Sequence, residues 1–240
     1  MIAVYTAILA EYDNLRPPAV HNPGCRYVCF SDRPRRVAPW ETQGFPMLFD
    51  DPATNARIPK MLPHLLLPEA EFSIYHDGAF RMKVDPHQAV ALLGNADLAM
   101  FAHPTNKSIF DERDFYQRQH GFVPDHVAEH VGRYEAEELP ITGEFWAGGF
   151  VVRRHCPTVE RFNELWMREY LDGSPNDQFG LYGAVVKSGV RVATIAGHVI
   201  MDARFGYHLH ANSGCGDNPG YEAENAAWSA RVARIREVCA

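Results

Sequence analysis

The sequence lacks any long apolar run. Nothing in its 240 residues approaches the roughly 18 consecutive apolar residues that would span a bilayer. No transmembrane segment is therefore expected, though peripheral association with a membrane stays open. The N-terminal run Ile2–Leu9 is apolar, but no basic region precedes it, and Glu11 and Asp13 follow at once. It reads as a first core strand rather than a signal peptide. Paired cysteines are also lacking. Cys25, Cys29, Cys156, Cys215 and Cys239 are odd in number and scattered, and no second pair joins Cys25 and Cys29 at metal-ligand spacing. Reduced thiols in a cytoplasmic protein are expected, without a disulfide framework or a zinc site. An excess of positive charge is missing too, since 23 basic residues face 30 acidic ones. A nucleic-acid partner, which calls for a basic face, is not expected. The short cluster Arg33, Arg35 and Arg36 sits among prolines and reads as a solvated loop. Repeats, low-complexity tracts and flexible linkers are absent, so residues 1–240 are expected to form one domain.

What is present suits an α/β domain. The hydrophobic share is 46%, enough for a full core at this length. Strands are expected at Ile2–Leu9, Arg26–Phe30, Phe72–Tyr75, Asp97–Ala102, Phe145–Arg153 and Val190–Ile195. Between them fall a helix over 53–67 broken at Pro59 and Pro63, a helix from Asp85 to Leu93, and two helices within 108–139. Further helices are expected over Cys156–Leu171, Pro175–Lys187 and about 221–238, with an irregular stretch over 202–219. The alternation predicts an α/β sandwich with a mainly parallel sheet and helices on both faces. Ligands of such sheets bind beyond the carboxyl ends of the strands. Ser31-Asp32, His76-Asp77, His103 and Arg153-Arg154-His155 all sit at predicted strand ends.

Asp77 is the leading candidate for chemistry. It follows an apolar strand, and Gly78 permits a sharp turn after it. A carboxylate there suits Mg²⁺ or Mn²⁺ bridging a diphosphate, or it caps a turn. The second acid of an Asp-x-Asp metal motif is replaced by Ala79. His208 and His210, at alternate positions, offer an imidazole to complete the shell, and His208 is taken as the second metal ligand. Arg57 and Lys60 lie three apart on a helical turn, where two cations can share a face and hold a diphosphate. Asn176-Asp177-Gln178 opens a helix. It is either an ordinary N-cap, or places Asp177 as base or orienting group with Gln178 binding donor hydroxyls. Gly148 and Gly149 inside a strand mark a bulge or a close approach of substrate to backbone. His103 is a further polar candidate.

Taken in order, these motifs resemble a known family. They run Val4-Tyr5-Thr6-Ala7-Ile8 with Tyr12-Asp13, Val28-Cys29-Phe30-Ser31-Asp32, and Trp40-Glu41. Then follow Asn55-Ala56-Arg57-Ile58-Pro59-Lys60 with Pro63-His64, Ser73-Ile74-Tyr75-His76-Asp77-Gly78 and His103-Pro104. Asp111-Glu112, Leu139-Pro140, Gly149–Arg153 with His155, Trp166, Glu169 and Asp177-Gln178 complete the set. Over roughly residues 2–187 the chain resembles the glycosyltransferase-like family of plant seed-mucilage and turgor proteins, which has many bacterial members, and it reads as one of these. The resemblance implies a GT-A-like three-layer sandwich. It also implies hexosyl or uronosyl transfer from a nucleotide-diphosphate sugar, UDP-sugar favoured, to a glycan, lipid-linked or small-molecule acceptor in polysaccharide biosynthesis, with Mn²⁺ or Mg²⁺. By the same resemblance Thr6, Ile8, Tyr12, Asp13, Ser31 and Asp32 hold the nucleoside, and Asp77, Gly78 and Ala79 lie at the metal and diphosphate. Gly148, Gly149, Asp177 and Gln178 then border the sugar and acceptor. A metal-assisted hydrolase and a non-catalytic nucleotide-sugar-binding module are the alternatives.

Overall fold

The structure, a computed structural model, describes residues 1–45, 47–140, 143–210 and 226–240, the last with side chains from 230 on. In chain order the elements begin β1 (Ile2–Ile8), β2 (Arg26–Ser31), β3 (Glu41–Gly44), α1 (Pro52–Met61), α2 (Pro63–Leu66), β4 (Phe72–His76), β5 (Phe80–Met82), α3 (Pro86–Ala91) and β6 (Leu98–Ala102). They continue α4 (Ile109–His120), α5 (Asp125–Ala136), β7 (Trp146–Arg154), α6 (Pro157–Leu171), α7 (Asp177–Ser188), β8 (Val192–Ile195), a 3-10 turn (Val199–Met201), β9 (Phe205–Tyr207) and α8 (Ala226–Cys239). Cys215, half of the expected irregular stretch (211–219) and the start of the expected C-terminal helix lie outside the described residues.

The central sheet has the order β3-β2-β1-β4-β7-β6-β8. β3, β2, β1 and β4 run parallel, β7 runs antiparallel to both neighbours, and β8 is parallel to β6. The fold class is thus the expected one, α/β with a mainly parallel sheet. β1 explains why its sequence is apolar throughout. Ala3 and Tyr5 face one core and Ile2, Val4 and Ile8 the other, as a strand buried on both faces requires. The first face packs under α1, α6 and α7 through Ile58, Phe162, Trp166 and Leu181. The second packs under α3 and the small β5–β9 ribbon through Ala89, Met82 and Phe205. α4 and α5 join α7 in a third cluster built on Val127, Tyr134 and Phe179.

Three strands escape a periodicity reading. β3 is polar (Glu-Thr-Gln-Gly) because it is an edge strand with a single neighbour. β5 and β9 have three residues each, too few for a pattern. The helix expected to break at Pro59 and Pro63 runs on through Pro59 to Met61 and breaks only at Leu62, with Pro63 starting α2 in the position proline tolerates.

Candidate active site

A cavity of about 510 Å³ opens where the carboxyl ends of β1, β4 and β6 meet the antiparallel β7 and the first turn of α7. Its wall includes Ile8, Tyr12 and Asp13 after β1, Asp77 and Gly78 after β4, and His103 after β6. α1 contributes Arg57 and Lys60, β7 contributes Gly148 and Gly149, and α7 contributes Asp177 and Gln178.

An ion-pair system forms the floor. Lys60, only 3% exposed, donates from Nζ to Asp177 Oδ2 at 2.6 Å and lies 3.7 Å from Asp77 Oδ1. Arg57 Nε stands 3.2 Å from the same Asp177 oxygen. Burial alone would raise the pKa of Asp177, but Arg57 and Lys60 outweigh it and hold the carboxyl at about 2. Asp177 is therefore a firmly ionised group and a weak base while these pairs persist. The pull of Asp177 raises Arg57 above its ordinary range in spite of burial. Asp77 Oδ1 also accepts from the Tyr75 hydroxyl at 2.7 Å.

Backbone position is set by the shell behind these groups. Trp166 Nε1 donates to the Asp177 carbonyl, and Asn176 caps α7 through the Gln178 N–H. The N-cap role thus falls to Asn176, which leaves the Asp177 side chain to the cleft. Arg153, fully buried, donates to the Lys60 carbonyl at 2.8 Å and to the Tyr5 hydroxyl at 2.9 Å. Gln178 Nε2 is buried without a hydrogen-bond partner, a cost that a ligand hydroxyl would relieve.

A side chain at Gly78 or Gly149 would displace a neighbouring carboxylate, and one at Gly148 would be tight. A Cβ on Gly149 would lie 2.9 Å from Asp77 Oδ2, and one on Gly78 2.8 Å from Asp13 Oδ2. On Gly148 it would meet Lys60 Nζ at 3.4 Å and the Trp166 ring at 3.3 Å. Gly148 and Gly149 also lie in a bulge, because β6 pairing steps from Val151 to Ala147 between Met100 and Phe101. Bulge and close approach are the same feature here. After β1, Ala10 and Glu11 adopt left-handed φ of 52° and 55°, and Asp32 Oδ2 accepts the Ala10 N–H at 3.0 Å.

Several expected site residues fall elsewhere. Thr6 is fully buried within β1, on the core side shared by Val4 and Ile8. Ser31 and Asp32 are buried behind the wall. Ser31 binds Arg35 Nε and Asp32 holds the Ala10 turn, so both support the cleft without lining it. Arg35 accordingly braces this loop and is no solvated charge; Nη1 also reaches the Asp13 carbonyl. Ala79 is buried, and its carbonyl accepts the His208 N–H. His208 lies off the cleft beside Lys83, whereas His210 lines it and meets the Asp13 carboxylate at 3.0 Å. β9 stops at Tyr207, so strand alternation no longer governs where the two imidazoles point. His103 reaches the wall; its Nδ1 accepts the Asn106 N–H of its own loop, and Nε2 lies 3.7 Å from Glu112 of α4. Of the histidine pair that the sequence offers, His210 and not the favoured His208 reaches the cleft; Tyr75, which binds Asp77, is not among the expected site residues.

The donor set for a divalent ion can be judged from these contacts. Asp77 Oδ2 is not engaged by Tyr75 or Lys60, and Asp13 faces it across Gly78. Among the described residues no group of three or more His, Cys, Asp or Glu forms a ligand cage. One or two carboxylates suffice for Mg²⁺-type binding when substrate phosphates complete the shell. The residues therefore fit an ion completed by a phosphorylated ligand, not a preformed protein cage.

An α/β sheet with a cleft at its strand ends is the usual ligand-binding arrangement of such folds. The TOD1/MUCI70, glycosyltransferase-like domain family matches residues 40–198, more than half of the chain, and the chain belongs to that family. It is similar to "Probable hexosyltransferase MUCI70" of Arabidopsis thaliana, 28% identical over 151 residues covering 54% of this chain and 24% of that protein. It is also similar to "Alkaline ceramidase TOD1" of Arabidopsis thaliana, 24% identical over 152 residues covering 55% of this chain and 31% of that one. The matches thus span less than a third of either relative's length. Among solved structures, the apo form of the bifunctional glycosyltransferase WbbM aligns with a TM-score of 0.46 and 14% identity, over 81% of this chain and 38% of that chain.

Proposed function

We propose that the cleft transfers a hexosyl or uronosyl group from a nucleotide-diphosphate sugar, a UDP-sugar first, to a hydroxyl of a glycan, lipid-linked or small-molecule acceptor. The observation that carries this reading is the pairing of Arg57 and Lys60 with Asp177 at the strand ends, 3.2 and 2.6 Å from one oxygen. Two cations held in a half-enclosed cleft suit a diphosphate leaving group. Tyr12 and Asp13 flank the nucleoside, and Gly148, Gly149 and Gln178 border the sugar. Asp77 would hold an Mn²⁺ or Mg²⁺ brought by the donor, and such an ion would supply charge neutralisation at the diphosphate.

In the transfer, the bond from the anomeric carbon to the diphosphate oxygen breaks and the acceptor oxygen bonds to that carbon. The diphosphate leaves with the electron pair, stabilised by Arg57 and Lys60, and the acceptor proton passes to a base. Asp177 in its paired state is too acidic for that task. The diphosphate competes with it for both cations, so donor binding loosens the pairs and restores its basicity. The hydrolase alternative needs three protein ligands around a metal-bound water, and no such cage occurs among the described residues.

Titration calorimetry with UDP and GDP, with and without Mn²⁺, tests the reading. Micromolar to millimolar binding of at least one is expected, as is usual for substrates. Absence of binding to every nucleoside diphosphate under all metal conditions contradicts it.

A further inference from the structure

The β5–β9 ribbon has one face in the core and one outside. Phe80, Met82 and Phe205 point inward and are buried. Arg81 and Lys83 alternate with them and point outward, opposite Gly206 and Arg204. A Cβ on Gly206 would lie 3.1 Å from Lys83 Cε and 3.7 Å from His208 Nε2, so these side chains share the outer face. Burial, then Arg16, Arg81 and Lys83, hold the His208 pKa below its ordinary value, which places Arg16 in the same field. Arg81 Nε donates to the Pro17 carbonyl and Arg16 Nη1 to the Asn14 carbonyl. Neither they nor Lys83 has an ion-pair partner among the described residues. On a chain of net charge −7, this is a local concentration of positive charge.

Large apolar side chains stand at its edge. Leu209, next to His208, is 80% exposed and Met201 is 82% exposed, with Ile200 and Tyr207 partly so. The 3-10 turn that carries Ile200 and Met201 packs against β9. Exposed apolar groups beside clustered cations are the chemistry of attachment to an anionic lipid surface. The location gives the surface a purpose, since His198, Val199 and His210 from the same segments line the cleft.

We propose that the outer face of the β5–β9 ribbon, with Leu209 and Met201, docks on an anionic bilayer and turns the cleft mouth toward it. A soluble anionic glycan would use the cations but leaves the exposed leucine and methionine unexplained, so the bilayer is favoured. The proposal stands on this surface alone and does not depend on the reaction in the cleft.

Co-sedimentation with phosphatidylcholine vesicles, with and without phosphatidylglycerol, tests it. Binding is expected to require phosphatidylglycerol and to weaken with salt. Arg81→Glu/Lys83→Glu is expected to weaken it about tenfold or more, and Met201→Ser/Leu209→Ser several-fold, with melting temperatures near wild type as the folding control. The proposal is overturned by absence of binding to phosphatidylglycerol vesicles, or by binding that both double variants leave unchanged. Capture by dextran sulfate without vesicle binding also overturns it.

Discussion

The Lys60 ammonium lies 2.6 Å from the Asp177 carboxylate, although 117 positions separate them in the chain. The pair joins the last turn of α1 to the first turn of α7 across the cleft floor, with Arg57 on the same oxygen. On the proposed function, the Asp177 carboxylate holds the two cations that a diphosphate would compete for.

This arrangement fixes the sign of one mutational effect. Asp177→Asn removes the competing charge, so UDP affinity is expected to rise by roughly three- to tenfold, up to about 1.4 kcal/mol. Transfer activity is expected to fall by 10²-fold or more. Calorimetry and a turnover assay on the same preparation read both. Weaker UDP binding in the variant would show that Asp177 only positions the cations.

Lys60→Met and Arg57→Met would each remove one of the two cations proposed to hold the diphosphate. Each is expected to weaken UDP binding by roughly 10- to 100-fold, the range for hydrogen bonds to charged groups. Lys60→Met also leaves Asp177 with one cation, so a stability loss is expected by thermal melting. UDP affinity unchanged in both variants would remove them from the donor site.

Gly149→Ala places a methyl group 2.9 Å from Asp77 Oδ2. The carboxylate must shift, so the Mn²⁺-dependent part of UDP binding is expected to drop about tenfold. Binding without metal should change little, and a variant with equal Mn²⁺ dependence would detach Asp77 from the ion.

Stability should respond to acid in two stages. Burial, aided by neighbouring cations, lowers His64 and His155 from 6.5 to about 4. Lowered bases stabilise the fold above 6.5, and the contribution fades as pH falls from 6.5 toward 4. Glu169 and Asp177 sit at about 2; burial opposes this, but His130 at 3.6 Å and hydrogen bonds from Lys187 and Tyr134 to Glu169, and the cations around Asp177, outweigh it. Their contribution is present above the ordinary carboxylate range and is lost as pH falls through about 2. Melting curves against pH should show both stages, with His155→Gln flattening the first. A constant melting temperature from pH 7 to 4 would contradict the histidine assignment.

Much of the sheet was legible because β1, β2, β4 and β6 are apolar runs ending in polar residues, as doubly buried strands must be. β3 was not, since an edge strand with one neighbour needs no apolar side chains. Asp77, Asp177, Arg57 and Lys60 stood out because they lie at element ends or one helical turn apart. What local sequence could not carry was direction. Thr6 points into the core by strand parity, Asp32 turns to the Ala10 N–H, and His208 and His210 separate once β9 has ended. Nor does any local signal link Lys60 to Asp177, because α1 and α7 meet only once both pack with α6 on one face of the sheet.

The most direct measurement is calorimetric titration of UDP into wild-type protein and Asp77→Asn, with and without Mn²⁺. UDP binding by the wild type that Mn²⁺ strengthens is expected, with the Mn²⁺ enhancement gone in Asp77→Asn. Wild-type protein that binds neither UDP nor any other nucleoside diphosphate, with or without metal, would contradict it.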